Sequence, residues 1–360
     1  MKSTGTGSLV YVGTYTRGRS EGIYVGRLNP ETGRLVLTGK STGVSNPSYL
    51  ALGPGGRFLY AVCEVMEYEG RRSGAVRAYA IDRVSGDLTL LNEQPTLGPG
   101  PCYVSIERTG RLALVANYAG GSIAALPIEA DGRLGPASDF HQHQGKSVDP
   151  RRQETAHAHC IVPDPANQRV LVADLGLDRI MVYRLDLAEG KLRPNEKPWA
   201  QVKPGAGPRH IALHPNGRYA YLINELDSTL TAFAYDAARG TLSELGTVAT
   251  LPEGYEGTSH CADVHVSATG RFVYGSNRGH DSIAVFAVDE ATGRLSLVEH
   301  VSTQGKTPRN FAIDPSGHFL LAANQNSDSI VTFRIDPETG RLTPSGEVAD
   351  VPNPVCIKFL

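Results

Sequence analysis

One pattern is written again and again along this 360-residue chain, and that repetition constrains the fold more than any single residue does. The clearest copy spans residues 207–225. It reads as two short strands around Pro215-Asn216-Gly217, because Pro presets φ while Asn and Gly tolerate positive φ. The flanking runs are rich in β-branched and aromatic side chains, as strands are. Two markers recur at a spacing of roughly 50 residues, the range of propeller blades. The first is the turn between the paired strands, at Gly56-Arg57, Gly110-Arg111, Gln168-Arg169, Gly217-Arg218, Gly270-Arg271 and Gly317-His318. The second is a hairpin turn followed by Leu, in seven copies ending at Leu35, Leu88, Leu134, Leu192, Leu242, Leu295 and Leu342. One unit therefore holds strands a (209–214), b (219–225), c (229–235) and d (242–250).

The two ends complete the count. Leu9-Val10-Tyr11-Val12-Gly13-Thr14-Tyr15 looks like a strand b without a strand a before it. Pro354-Val355-Cys356-Ile357-Lys358-Phe359-Leu360 looks like a strand a without a strand b after it. Joined in one blade, they close a ring and remove the open sheet edge that would template aggregation. The expected fold is all-β: a seven-bladed β-propeller of four-stranded antiparallel blades, one domain over residues 1–360. Each blade buries its faces on its neighbours, so none should be stable alone. Two connections are longer than the rest, 140–155 and 253–259, and both precede a strand a. Long ordered loops in a compact fold are usually functional; a plain surface excursion is the alternative.

Composition narrows the partners. A net charge of -2 and a pI near 6.6 leave no basic footprint for nucleic acid. No apolar run approaches the ~18 residues of a membrane span. Residues 1–8 lack the apolar region and small-residue cleavage site of an export signal, so the cytoplasm is expected. Five cysteines, at 63, 102, 160, 261 and 356, lie in apolar strand runs without CxxC spacing and read as buried free thiols. A closed disc has no built-in need for a partner, and a monomer is expected.

Antiparallel pairing sets the start of each strand a beside the end of its strand b. All such ends fall on one face of the disc, near the axis. They gather Asn46 and Glu64; Tyr103, Asn117 and Tyr118; His157, His159 and Asp174; Arg209, His210, Asn224 and Glu225; His260, Asn277 and Arg278; Arg309, Asn310, Asn324 and Gln325. Pro-Arg at 208–209 and again at 308–309 is either turn punctuation or an anion clamp, since guanidinium offers a planar fork to carboxylate or phosphate. Glu225 either pairs locally with Arg209 or serves chemistry. His157 and His159 follow the longest loop, and strand alternation points them the same way; one of them is a candidate base. His141 and His143 have a metal-like spacing but no Cys or carboxylate at a diagnostic distance, so neither metal nor other cofactor is expected. No GxSxG elbow, Walker loop or dinucleotide glycine motif follows a strand. What remains is binding a small anion and moving a proton, which suits hydrolysis of an activated ester such as a lactone.

Several stretches together are similar to one family. They are Tyr11 to Tyr15, Arg152-Gln153 leading to His157-Ala158-His159, Asp174-Leu175-Gly176, Gly207-Pro208-Arg209-His210, Asn224-Glu225-Leu226, Ser276 to Ile283, and Thr307-Pro308-Arg309-Asn310-Phe311. Over nearly the whole chain they resemble the seven-bladed propeller lactonases of the 6-phosphogluconolactonase kind. The resemblance implies hydrolysis of 6-phospho-D-glucono-1,5-lactone, the second step of the pentose phosphate pathway. The same family includes fungal enzymes that close 3-carboxy-cis,cis-muconate into a lactone. It implies a site of one His, one Glu and two Arg, falling here on His159 or His157, Glu225, Arg209 and Arg309. Arg152, Asn224, His260, Arg278 and Asn324 are the expected substrate-binding residues. A third alternative is a non-catalytic propeller that binds a protein. It is disfavoured by a single tryptophan, Trp199, and a charged rim.

Overall fold

The structure, a computed structural model, describes residues 7–360; the reading of residues 1–6 as part of a non-exported start lies outside them. Seven four-stranded antiparallel sheets form, and six of them are continuous stretches of chain. The seventh pairs Pro354–Phe359 with Ser8–Thr14, then Gly22–Leu28 and Leu35–Thr42, so the two ends close one blade. Taking that blade as the first, the innermost strands of blades 2 to 7 are Leu50–Leu52, Pro101–Ile106, Ala158–Pro163, Pro208–Leu213, His260–Val266 and Pro308–Ile313. Each packs on the next, and the last packs on Pro354–Phe359, which completes the ring.

In the unit read most clearly from sequence, the strands run Pro208–Leu213, Tyr219–Asn224, Thr229–Asp236 and Thr241–Ala249, within a residue or so of expectation. The turn between the first two holds Gly217 at φ 70°. In blade 4 the equivalent slot is Asn167 at φ 56°, one of the few side chains that accept a left-handed backbone. One boundary differs. Residues 140–142 were expected in a connection, but Asp139–Gln142 is the outer strand of blade 3. Its short polar run carries no apolar alternation, so pairing with Ser122–Pro127 rather than pattern places it. The loop proper starts at His143.

Blades stack through aromatic side chains of the second strand. Tyr11, Tyr60, Tyr221 and Tyr274 are buried, and each hydroxyl donates to the carbonyl of the next blade's hairpin glycine, at Gly86, Gly132, Gly293 and Gly340. The repeated hairpin marker is thus also an inter-blade acceptor.

Candidate active site

The innermost strands carry the feature that builds the site. In blades 1, 3, 4, 5 and 7 the register slips by one residue near the strand's start. The residues left unpaired at these bulges are Val355, Cys102, His159, Arg209 and Arg309. A bulge bends the strand and re-aims the extra side chain. All five of these residues line one narrow axial cavity. Blade 2 reaches the same arrangement outside its short strand: Val62 donates its N–H to Tyr49 and Glu64 to Asn46, which skips Ser48. Ser48 also lines the cavity.

A second circle of equivalent positions lies one residue beyond the end of each second strand, except in blade 6, where it is the strand's last residue, Arg278. Its members are Tyr15, Glu64, Tyr118, Leu175, Glu225, Arg278 and Gln325. Most of the axial cluster comes from these two circles.

Glu225 is the hub. Its carboxylate accepts from Arg209 Nε at 2.9 Å and from Arg152 Nη2, and it ion-pairs with Arg278 Nη2 at 3.0 Å. His159 Nε2 lies 3.9 Å away. Burial alone would raise the Glu225 carboxyl, but Arg278, Arg209 and Arg152 outweigh it and hold it well below the usual carboxylate range. Burial, followed by the nearby Arg209, pushes the His159 imidazolium down, so this ring is neutral at neutral pH. The same effects lower the Arg278 guanidinium to about 10, which leaves it charged.

Arg309 differs from the other three arginines. Its guanidinium lies 5.3 Å from the centre of the Tyr15 ring, yet among the described residues it makes no hydrogen bond and no ion pair. The carboxylate that bears on it most is Glu64, which instead accepts from Tyr15 Oη at 3.0 Å and from Ser48 Oγ. Four guanidiniums thus share two carboxylates, an excess of positive charge aimed at the axis.

Below the cavity, His210 accepts from Arg209 Nη1 at its Nε2, 3.2 Å away, and donates Nδ1–H to Asp263 at 2.7 Å. Its pKa is lowered to about 4 by burial and by Arg209. Asp263 also accepts from His265 and Asn310. Tyr49 and Tyr103 stack at 4.0 Å and, with His210 against their edges, form an aromatic floor.

The other expected residues are placed as follows. His157 and His159 were expected to point alike. The bulge between Ala158 and Cys160 gives them different settings: His157 stacks on Tyr118 at 4.6 Å with Glu154 at 3.5 Å, while His159 enters the cavity. Arg152 comes from the 143–157 loop between blades 3 and 4, and its side chain reaches Glu225 of blade 5. Asn224 donates to Thr229 and Thr231, and Asn324 to the Thr303 carbonyl, so both amides are used within and between blades. His260 lends its backbone carbonyl to Arg278 Nε at 3.3 Å. His141 bonds Asp139, and His143 bonds Asp174 and Tyr183, so they serve separate structural partners. Among the described residues no group of three or more His, Cys, Asp or Glu could hold a metal, and no helix is long and apolar enough to cross a membrane.

Sequence reasoning did not single out Tyr15, Ser48, Tyr49 or Cys102 as site residues. Cys102 is a buried free thiol as expected, but its sulfur lies 3.6 Å from His159 Nδ1. The signal that would have found these residues is positional. Each occupies or adjoins the slot that holds Arg209 or Glu225 in blade 5.

Fold and site together define a seven-bladed propeller with a cationic axial cavity on one face. The family model described as lactonase, 7-bladed beta-propeller, matches residues 9–359. The chain belongs to that family and is an enzyme of the lactonase class. It is 41% identical over 350 residues to the 6-phosphogluconolactonase of Bacillus subtilis strain 168, covering 97% of each chain. It is 36% identical to the 6-phosphogluconolactonase of Formosa agariphila, over 85% of this chain and 86% of that one. The solved structure of the periplasmic gluconolactonase of Pseudomonas aeruginosa superposes with a TM-score of 0.91 at 38% identity, covering 98% of this chain and 99% of that one.

Proposed function

We propose that the protein opens a sugar lactone bearing an anionic group, with 6-phospho-D-glucono-1,5-lactone the preferred substrate and 6-phosphogluconate the product. In the cell this is the hydrolytic step of the pentose phosphate pathway, carried out in the cytoplasm. The observation that carries the reading is Arg309, a guanidinium with no anionic partner of its own facing a cavity already rich in positive charge. A bidentate fork of this kind recognises phosphate or carboxylate. The names of the relatives support a lactone as the electrophile.

The open space enclosed at the axis is only about 10 Å³, room for roughly one water. The sugar therefore lies across the mouth with its carbonyl directed inward, and the enclosed space holds the attacking water. The neutral His159 ring, which lines that space, orients the water, and the Glu225 carboxylate fixes the arginines around it. Arg209 and Arg278, fixed by Glu225, face the oxyanion that forms as water adds. Preorganised charge of this sort acts where charge develops, without reorganising at the moment of reaction.

The test compares glucono-1,5-lactone with its 6-phosphate, using initial rates corrected for spontaneous opening. We expect hydrolysis of the phosphorylated lactone far above background and a kcat/KM preference of about tenfold or more for the phosphate. Arg309→Ala should raise KM for the phosphorylated lactone and erase the preference while the fold is kept. Equal KM in wild type and variant would remove Arg309 from substrate binding.

A further inference from the structure

Acid-base chemistry at this cavity needs a group that can both take and return a proton. Glu225 is poorly suited, because three guanidiniums clamp its oxygens. His159 is neutral but surrounded by positive charge, so protonating it is costly. Across the ring, in blade 2, a second glutamate occupies the slot of Glu225. Glu64 donates its N–H to the Asn46 carbonyl as Glu225 does to that of Gly207. It borders the same cavity. Its side-chain setting is the opposite one: among the described residues no cation lies within ion-pairing distance, and the carboxyl contacts two hydroxyls, Tyr15 Oη and Ser48 Oγ.

We propose that Glu64 is the general base and then the general acid of the lactone hydrolysis, and that Glu225 is the fixed counter-charge that positions Arg152, Arg209 and Arg278. The proposal rests on the lactonase reading above. In the first half-reaction a Glu64 oxygen takes one proton from water as the water oxygen bonds to the lactone carbonyl carbon. The carbonyl π pair moves to its oxygen, beside the arginines. In the second, that pair re-forms the carbonyl, the bond to the ring oxygen breaks, and Glu64 returns the proton to the departing ring oxygen. The new carboxylic acid loses its own proton to solvent.

The electrostatics run the same way. Burial pushes the Glu64 carboxyl up, against Arg309, the two hydroxyls and Arg209, while Glu225 is held down. Two carboxylates driven apart by their surroundings commonly divide the roles of proton carrier and fixed charge. The groups bearing on Glu64 are Tyr15 from blade 1, Ser48 in its own blade, Cys102 from blade 3, Arg209 from blade 5 and Arg309 from blade 7. Of these, burial pushes Tyr15 and Cys102 up, away from neutral pH, while His159 and His210, which line the same cavity, are pushed down; the Glu64 variants separate its acid limb from theirs.

The experiment is a kcat and KM profile against pH for wild type, Glu64→Gln and Glu64→Asp, with melting temperatures. Glu64→Gln should lower kcat by about 10²–10⁴-fold. It should shift KM by less than about threefold and abolish the acid limb. Glu64→Asp, which keeps the titrating group and serves if the amide variant does not fold, should keep a limb at a shifted pH with an intermediate kcat. A folded Glu64→Gln enzyme with near wild-type kcat, or one that keeps the wild-type acid limb, overturns the proposal. So does a Glu64→Asp limb unmoved from wild type. If wild type opens no lactone above the spontaneous rate, the lactonase reading itself falls and takes the proposal with it.

Discussion

His210 shows how a single buried side chain sets a pH response. It donates to Asp263 and accepts from Arg209, an arrangement only the neutral ring can satisfy. Its folded pKa, about 4, lies below the ordinary 6.5. The sign follows from linkage. Above pH 6.5 the ring is neutral in both states and contributes no pH dependence. As pH falls below 6.5 the unfolded chain binds the proton first, and stability drops until the folded ring also titrates near 4. Over that window the loss is about 3 kcal/mol for this residue, taking 1.36 kcal/mol per pKa unit. His159, lowered by the same causes, acts in the same direction. Urea midpoints should therefore fall between pH 6.5 and 4, and His210→Gln should flatten part of that slope. An unchanged slope would mean that the imidazole is not held neutral. The residue scale is also where sequence reading was least sharp. Arg209, Arg309 and Glu225 were legible because charge at a strand end is conspicuous. Asn224 and Asn324 sit one residue short of the axis-facing circle that holds Glu225 and Gln325. Alternation counted along a regular strand cannot register a one-residue slip.

Two glycines show how the strands and turns of each blade use left-handed backbone differently. Gly217, at φ 70°, has open space where a Cβ would stand. The slot is filled by Asn167 in blade 4, so Gly217→Asn should cost less than about 1 kcal/mol. Gly293, at φ 72°, faces the Tyr219 ring, whose nearest atom would lie 2.4 Å from an added Cβ. Gly293→Ala meets both backbone strain and overpacking, together about 2–4 kcal/mol. Urea unfolding of the two variants compares them directly; equal losses would show that the ring contact does not constrain the hairpin. The turn marker was visible in the sequence at both sites. Its second duty, admitting a neighbouring blade's aromatic ring, was not, because the two partners lie about 70 residues apart in the chain.

Closure governs the whole molecule. The strand Pro354–Phe359 pairs with Ser8–Thr14 and packs between the innermost strands of blades 7 and 2. Val355, Cys356 and Ile357 are buried there. Removing residues 354–360 would expose two blade faces and a free edge at once. The truncated chain should lose its single cooperative thermal transition and aggregate on expression. A truncated protein that melts cooperatively near the wild-type temperature would show that the remaining strands hold the ring without the latch.

The sequence by itself determined the repeat, the number of blades, the joining of both ends in one blade and the face on which polar strand ends collect. Those properties follow from period and pairing, which are local or evenly spaced along the chain. Tertiary structure decided which side chain of each strand end meets the axis, which arginines Glu225 neutralises and which one it leaves unpaired. That outcome depends on bulges and on distances between blades. Both arise from how seven sheets pack around a common centre, and no single segment encodes them.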